Sequence, residues 1–173
     1  MTTLIAWIGV DSRGPASLYF ASDSRFSWGR DKSWSFGRKL FASKAYPDIL
    51  AYCGDVTFPS TILNQIVEHI DIGLLYTEED NYEKKNHKIF NSIKLSFENY
   101  PVSQRNDFHI IHGCREGHGM QSIFHIFKIT FSNNRWKNEN LYIPNESKLI
   151  DKIGSGTDSM NSWYGKWQRS DSK

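Results

Sequence analysis

The sequence predicts a single α+β domain in which helices pack on a largely antiparallel sheet. Apolar, β-branched and aromatic runs typical of strands occupy both ends of the 173-residue chain, and two helical patterns lie between them. Hydrophobic residues make up 39% of the chain and aromatic residues 14%, too many for a disordered chain, and the length suits one domain. We therefore expect residues 1–173 to form one folded domain.

The N-terminal section predicts strands. Residues 2–10 are β-branched and aromatic with apolar side chains on both faces, as in a buried strand, and the turn signal DSRGP joins them to a second strand at 16–21. Two more strands are predicted at 38–43 and 48–52, across a KAYP turn. The polar and aromatic segment 24–37 predicts a loop or short irregular strands.

The centre of the chain predicts two helices. Apolar residues recur at spacings of three and four from Ile62 to Leu74, which predicts an amphipathic helix that begins near Thr57 or Ser60. A weaker apolar stripe predicts a second helix that Pro101 ends. Its members are Ile89, Ile93, Leu95 and Phe97.

The C-terminal section returns to strand patterns. Residues 107–112 and 122–131 predict strands on either side of a Gly-rich turn, and residues 132–140 predict a polar turn. The LYI run at 141–143 predicts a further short strand.

Composition excludes several classes of function. A net charge of +2 from 21 basic and 19 acidic residues gives no basic face large enough to indicate nucleic-acid binding. No apolar run approaches the ~20 residues that cross a bilayer, and the N-terminal residues do not show a signal-peptide pattern, so we expect a cytoplasmic protein without a membrane partner. Cys53 and Cys114 lie far apart in the sequence, which favours two reduced, buried thiols.

Three chemical groups in the first forty residues indicate a nucleophile. Thr2 follows Met1, and Lys39 comes sixteen residues after Asp23, which ends the second predicted strand. If Met1 is removed, the α-amine of Thr2 titrates near ~7.7–8.0 and can take the proton of its own hydroxyl. A nearby ammonium favours an ionised hydroxyl, and a carboxylate paired to that ammonium keeps it charged.

The motifs together resemble the proteasome β-subunit and HslV-type peptidases, a family of N-terminal-nucleophile (Ntn) hydrolases. The matching segments are TTLIAW, ASDSR, GRKLF, YCGD and IGSG. The resemblance implies that Thr2 is the nucleophile and that Asp23 and Lys39 are its charged pair. It also implies that Gly54 supplies an oxyanion-hole amide and that Ser155 lies near the amine of the nucleophile.

The same resemblance implies an αββα sandwich, a peptide or protein substrate, no cofactor, and assembly into a homo-oligomer that can form a ring. The implied substrate pocket is aromatic, with Phe26, Trp28 and Tyr52 as its binding residues. Members of the family continue well past the G-S-G motif, so we expect the domain to be C-terminally incomplete. The three aromatic residues expected to begin the next helix are Trp163, Tyr164 and Trp167.

Three other interpretations stay open. A non-catalytic proteasome-like scaffold or ring subunit would follow from a retained Met1 or the missing C-terminal part, although the Asp23–Lys39 pair argues against it. A nucleic-acid platform in 25–39 would use interleaved aromatic and basic residues. A metal site would use five residues at no standard ligand spacing, and we favour ordinary surface or core histidines. Those five are His109, His112, Cys114, His118 and His125.

Overall fold

We describe the fold from a computed structural model, which covers residues 2–28 and 32–169. Over this part of the chain the fold is mixed α+β, with ten strands and three α-helices. The strands are β1 (Leu4–Asp11), β2 (Gly14–Ser22), β3 (Phe26–Trp28), β4 (Lys32–Trp34), β5 (Leu40–Ala42), β6 (Asp48–Gly54), β7 (Phe108–Glu116), β8 (Ile123–Ser132), β9 (Arg135–Asn140) and β10 (Lys148–Ile153). The helices are α1 (Thr57–Asp71), α2 (Tyr82–Glu98) and α3 (Thr157–Gln168).

The described strands form antiparallel sheets. One sheet has five strands in the order β5-β6-β7-β8-β9, and a second has three in the order β10-β1-β2. Strands β3 and β4 pair with each other as a short separate ribbon. The first and last strands of the chain are therefore neighbours, and β1 lies between β2 and β10.

One face of the five-stranded sheet is covered by α1 and α2. The buried positions of both helices recur at three and four residues, so that each helix presents one apolar stripe to the sheet. The Phe97 ring of α2 is central to this packing, with centroids of four other aromatic rings 4.5–5.5 Å away. Those four rings belong to Phe58, Phe108, Phe131 and Trp136.

The other face of the five-stranded sheet packs on the three-stranded sheet. Alternate residues of a strand point to opposite faces, so β6 sends Leu50 and Tyr52 toward the helices and Ala51 and Cys53 toward the second sheet. Leu4 of β1 is among the residues that complete this second core. The start of β1 is thereby held against the central strands of the larger sheet.

The predicted strands and both central helices are confirmed, but the prediction for the region after β8 is wrong. Residues 135–140 form the edge strand β9 instead of a polar turn, and residues 141–143 are not a strand. Asn133 and Asn134 have φ of 50° and 59°, the left-handed values that a tight two-residue hairpin turn requires. The prediction that Leu95 belongs to the apolar stripe of α2 is also wrong, because Leu95 is 64% exposed.

None of the helices in the described residues combines the length and the apolar character that crossing a bilayer requires.

The aromatic cluster gives a direct test of the helix–sheet core. Truncating Phe97 to Ala leaves a cavity among four rings, so we expect the free energy of unfolding to fall by about 3–5 kcal/mol. Leu95→Ala on the same helix is the matched control, since an exposed position is expected to change it by no more than about 0.5 kcal/mol. Urea unfolding followed by circular dichroism measures both, and equal effects would contradict the packing described.

Candidate functional site

Pairing of β1 with β2 brings Thr2 and Asp23 together. In this antiparallel hairpin Leu4 is opposite Ser22, so the residue before β1 and the residue after β2 leave the sheet at the same end. The pairing continues one step further, because the Asp23 amide donates to the Thr3 carbonyl at 3.2 Å. The Thr3 amide returns a hydrogen bond to Asp23 Oδ1 at 2.7 Å.

Lys39 reaches this point from the other sheet. It directly precedes β5, and its carbonyl accepts a hydrogen bond from the Tyr52 amide of β6. Its side chain is only 2% exposed, and its ammonium donates to Asp23 Oδ2 at 3.1 Å and to the hydroxyl Oγ1 of Thr2 at 3.4 Å. A third hydrogen bond goes to the Arg25 carbonyl at 2.6 Å. The stacking of the two sheets thus places a buried cation against the Thr2 hydroxyl.

The charges of the site are balanced within it. Burying an ammonium costs free energy unless it is paired and hydrogen-bonded, and the Lys39 ammonium has a carboxylate, a carbonyl and a hydroxyl as acceptors. Partial burial by itself would raise the pKa of Asp23. The hydrogen bonds that its carboxylate accepts from Thr3, Lys39 and Arg25 outweigh burial and hold that pKa below its usual value.

The loop between β10 and α3 encloses Thr2 from the other side. The Thr2 backbone nitrogen donates to Ser155 Oγ at 3.0 Å, and the Gly156 amide donates to the Thr2 carbonyl at 3.0 Å. Gly154 has a φ of 111°, and a Cβ there would overlap the Thr2 carbonyl oxygen and lie 2.9 Å from Cys53 Sγ. Only glycine therefore fits at position 154 with the loop this close.

The site therefore presents one hydroxyl with a cation on one side and the residue's own backbone nitrogen on the other. The ammonium can stabilise negative charge that develops on Oγ1. While Met1 is attached, the Thr2 nitrogen is an amide and cannot act as a base; without Met1 it becomes an α-amine that Ser155 orients. Met1 itself lies outside the described residues.

Of the five predicted catalytic residues, the structure brings four together: Thr2, Asp23, Lys39 and Ser155. The fifth, Gly54, ends β6 with a φ of 103°, and a Cβ there would lie 2.6 Å from the Asp107 carbonyl oxygen. A close approach of β6 to β7 accounts for this glycine. Within the described residues it makes no hydrogen bond to Thr2, and its oxyanion role stays a prediction.

The three predicted substrate-binding residues differ in how far they are exposed to solvent. Phe26 is 8% exposed and lies under the Lys39 ammonium, 5.5 Å from it, while Trp28 is 56% exposed. Tyr52 is 1% exposed in the helix-facing core, where burial raises its pKa to about 12, so its ring has no surface to offer a ligand.

The structure also locates the C-terminal aromatic residues and most of the segment considered as a nucleic-acid platform. Trp163 is 70% exposed on α3 and Tyr164 is half-buried, while the side chain of Trp167 lies outside the described residues. Segment 25–39 contains the β3–β4 ribbon and ends in the buried Lys39, and its residues 29–31 lie outside the described residues.

The five residues considered as metal ligands do not meet at one site. His109 bonds the Thr130 hydroxyl, and His125 faces Glu116 at 3.3 Å. His118 is exposed in the turn before β8. His112 and Cys114 do lie close to each other, and the third residue beside them is Asp48, which the sequence pattern did not indicate.

Sequence reasoning missed several residues that shape the site. Thr3 exchanges hydrogen bonds with Asp23, and Gly154 and Gly156 position Thr2. The IGSG segment was a signal for the two glycines, because paired glycines around a polar residue indicate close approach of backbone. Cys53 carried no such signal, since its position near Gly154 depends on how the sheets stack.

Comparison with known proteins gives a likeness of fold. No protein-family model matches the chain, and no curated protein matches it. Among solved structures, the chain is similar to a chain of the helical assembly of the Anbu complex from Pseudomonas aeruginosa, with a TM-score of 0.59 and 12% sequence identity. The similarity covers 92% of this chain and 65% of that one.

These findings correct the resemblance drawn from the motifs. The assignment to the proteasome β-subunit and HslV family is wrong, because no family model matches and the structural similarity is to an Anbu chain at 12% identity. A likeness at this identity shows the fold alone. The chemistry has to be argued from the site itself.

The loop that encloses Thr2 can be tested through a pair of glycines. Gly154→Ala brings both an unfavourable φ and overlap with Thr2, whereas Gly14 has a φ of 121° with no atom near its added Cβ. We expect Gly154→Ala to lower the free energy of unfolding by at least about 1 kcal/mol more than Gly14→Ala, the cost of overpacking. Chemical denaturation compares the two, and equal losses would show that position 154 does not press on Thr2.

Acid unfolding tests the charged pair. Because the pKa of Asp23 is lowered in the folded state, its stabilisation is complete above the unfolded value of about 3.9 and is lost as pH falls through the folded-state pKa. We expect Asp23→Asn to be less stable than wild type at pH 7 and to lose less stability between about pH 5 and the acid limit. Parallel loss of stability in both proteins would contradict the described pair. Asp11, Asp71 and Asp80 also have lowered pKa values, and the comparison removes their shared contribution.

Proposed function

We propose that the protein is an N-terminal-nucleophile hydrolase of amide bonds, in which Thr2 attacks after Met1 has been removed. One observation carries the proposal. The Thr2 hydroxyl lies 3.4 Å from a buried ammonium that is paired with Asp23, while the Thr2 nitrogen rests on Ser155. With Met1 removed, a nucleophile, a charge-stabilising cation and a base would lie within one residue and its first neighbours, and this supports the proposal.

The reaction proceeds in two halves. The neutral α-amine takes the hydroxyl proton of Thr2, Oγ1 forms a bond to the carbonyl carbon of the substrate, and the amine half leaves with that proton. Water then hydrolyses the ester, which regenerates the hydroxyl and releases the acid. Lys39 stabilises charge on Oγ1, and the Gly54 amide is our proposed donor to the oxyanion, an interaction often worth about 3–4 kcal/mol.

The finer fold class belongs to the same proposal. Layers of helices, five-stranded sheet and three-stranded sheet follow one another, and α3 comes directly after β10 of the outer sheet. This order supports an αββα sandwich of the Ntn-hydrolase type. The proposed substrate is a peptide or protein, and exposed Trp28, whose ring centroid lies 6.4 Å from that of Phe26, favours apolar side chains in it.

A second candidate is a non-catalytic subunit of an oligomeric assembly. The observation that favours it is the comparison itself, because the similar Anbu chain belongs to a helical assembly and the likeness carries no information on chemistry. The comparison supports this candidate better than it supports hydrolysis. The two share one feature, a homo-oligomer, and differ in whether Thr2 reacts.

The test that separates them is acylation of the native protein by a β-lactone, which opens on a hydroxyl nucleophile and leaves an ester detectable by mass spectrometry. We expect one adduct per chain on Thr2 and cleavage of fluorogenic peptides with apolar residues at the scissile bond. Thr2→Ala is expected to lose both activities and Thr2→Ser to keep them. Lys39→Ala should slow them by about 100-fold or more.

Lys94→Ala, at a solvent-facing position of α2, is the matched control for removal of a lysine and should leave the rates unchanged. An assembled protein with Thr2 as its first residue that neither forms the adduct nor cleaves peptides would overturn the hydrolase proposal and support the second candidate. Equal acylation of Thr2→Ala would place the reactive group elsewhere.

A further inference from the structure

A second polar cluster lies on the opposite face of the five-stranded sheet from Thr2. Asp48 of β6 is the register partner of Cys114 of β7, and His112 stands two residues before Cys114, so all three side chains point to the helix-facing side. Their ligand atoms lie within 4.8 Å of one another. Each residue is at most 4% exposed, which is unusual for three groups that can bind a metal.

The orientation of His112 is fixed from both sides. Its Nε2 lies 2.8 Å from Asp48 Oδ1, and its Nδ1 lies 3.3 Å from Asn86 Oδ1 on α2. The Asn86 amide group donates to Asn138 of β9 at 3.2 Å, so the carbonyl oxygen of Asn86 is turned toward the histidine. Asn86 and Asp48 thus hold the two ring nitrogens of His112, and Nε2 is the nitrogen directed at Asp48. Metal-binding histidines are held by an outer hydrogen bond of this kind.

Two polar atoms at the cluster are poorly satisfied. Asp48 Oδ2 and the Tyr76 hydroxyl are both buried and make no hydrogen bond of good geometry among the described residues, although the phenol faces the Asp48 carboxylate. An unsatisfied buried polar group costs about 1–3 kcal/mol. A cation bound at Asp48 would satisfy its free carboxylate oxygen.

The neighbouring charges are compatible with a divalent ion. The Lys85 ammonium of α2 lies 5.3 Å from the ring centroids of Tyr46 and Tyr76, where the aromatic faces accommodate its charge. A divalent ion bound by one carboxylate and one thiolate forms a neutral group. The occupied site therefore carries no net charge beside Lys85.

We propose that Asp48, His112 and Cys114 bind a transition-metal ion of the Zn²⁺ class between β6, β7 and α2. One sulfur, one imidazole nitrogen and one carboxylate oxygen form a donor set that suits zinc, and the Tyr76 hydroxyl or a water is the fourth ligand. Cys114 binds the ion as a thiolate, so binding releases its proton and the affinity increases with pH. The site stabilises the packing of α2 on the sheet and is independent of the reaction at Thr2.

Cobalt is the probe for this site, because a cobalt–thiolate bond gives a charge-transfer absorption band in the near ultraviolet. The 173-residue protein is treated with a chelator and then titrated with Co²⁺, and Zn²⁺ is added in competition. We expect one Co²⁺ per chain with that band, its displacement by Zn²⁺, and a higher melting temperature with either ion. Cys114→Ser should abolish the band. Cys53→Ser, at a cysteine that is also 4% exposed but on the other face of the sheet, should keep it.

A folded wild-type protein with no cobalt–thiolate band would overturn the proposal, as would a band that survives Cys114→Ser and disappears in Cys53→Ser. If Cys114→Ser does not fold, X-ray absorption of zinc-loaded wild type decides without a variant. One sulfur together with nitrogen and oxygen neighbours is the expected first shell. A shell of oxygen alone, or of more than one sulfur, contradicts the site.

Discussion

Burial of the Lys39 ammonium is the constraint on which the N-terminal site depends. A cation that is 2% exposed has to be surrounded by acceptors, and each acceptor comes from a different part of the first hairpin and the segment after it. Asp23 provides the carboxylate, Arg25 the carbonyl and Thr2 the hydroxyl. The position of the Thr2 hydroxyl is thus a consequence of how the fold satisfies one buried charge.

Stacking of the two sheets makes that burial possible. Lys39 is tied to the larger sheet through Tyr52, whereas Thr2 and Asp23 belong to the smaller one, so the site forms only when both sheets pack. The loop at Gly154 then encloses Thr2 from the far end of the chain. The same larger sheet carries the Asp48 cluster on its other face, because β6 alternates its side chains between the two layers.

Local features of the sequence predicted much of the fold and of the cluster around Thr2. Thr2 and Asp23 are close because two adjacent strands form a hairpin, a relation that turn residues and strand patterns make visible. Tyr52 was misplaced as a ligand-binding residue because the face it uses depends on where the helices pack. Strand β9 was missed because it is a polar edge strand, and Trp136 is its one hydrophobic residue that packs against the core.

Long-range contacts explain the rest of what sequence reasoning could not find. Asp48 meets His112 across 64 residues, and nothing near Asp48 in the sequence suggests a ligand. The family assignment was wrong for a related reason. Short motifs with suitable spacing record a local chemistry, whereas family membership needs similarity along the chain, and the similar Anbu chain is only 12% identical.

The central claim is that the free amine of Thr2 is the base for its own hydroxyl. Two preparations of the same chain test it most directly. The first is released from a cleavable fusion so that Thr2 is the first residue. In the second, two residues precede Met1 so that Met1 is retained and the Thr2 nitrogen stays an amide. The quantity measured is the rate of Thr2 acylation by the same lactone. We predict rapid acylation of the first preparation and none above background in the second. Equal rates in the two preparations would contradict the account.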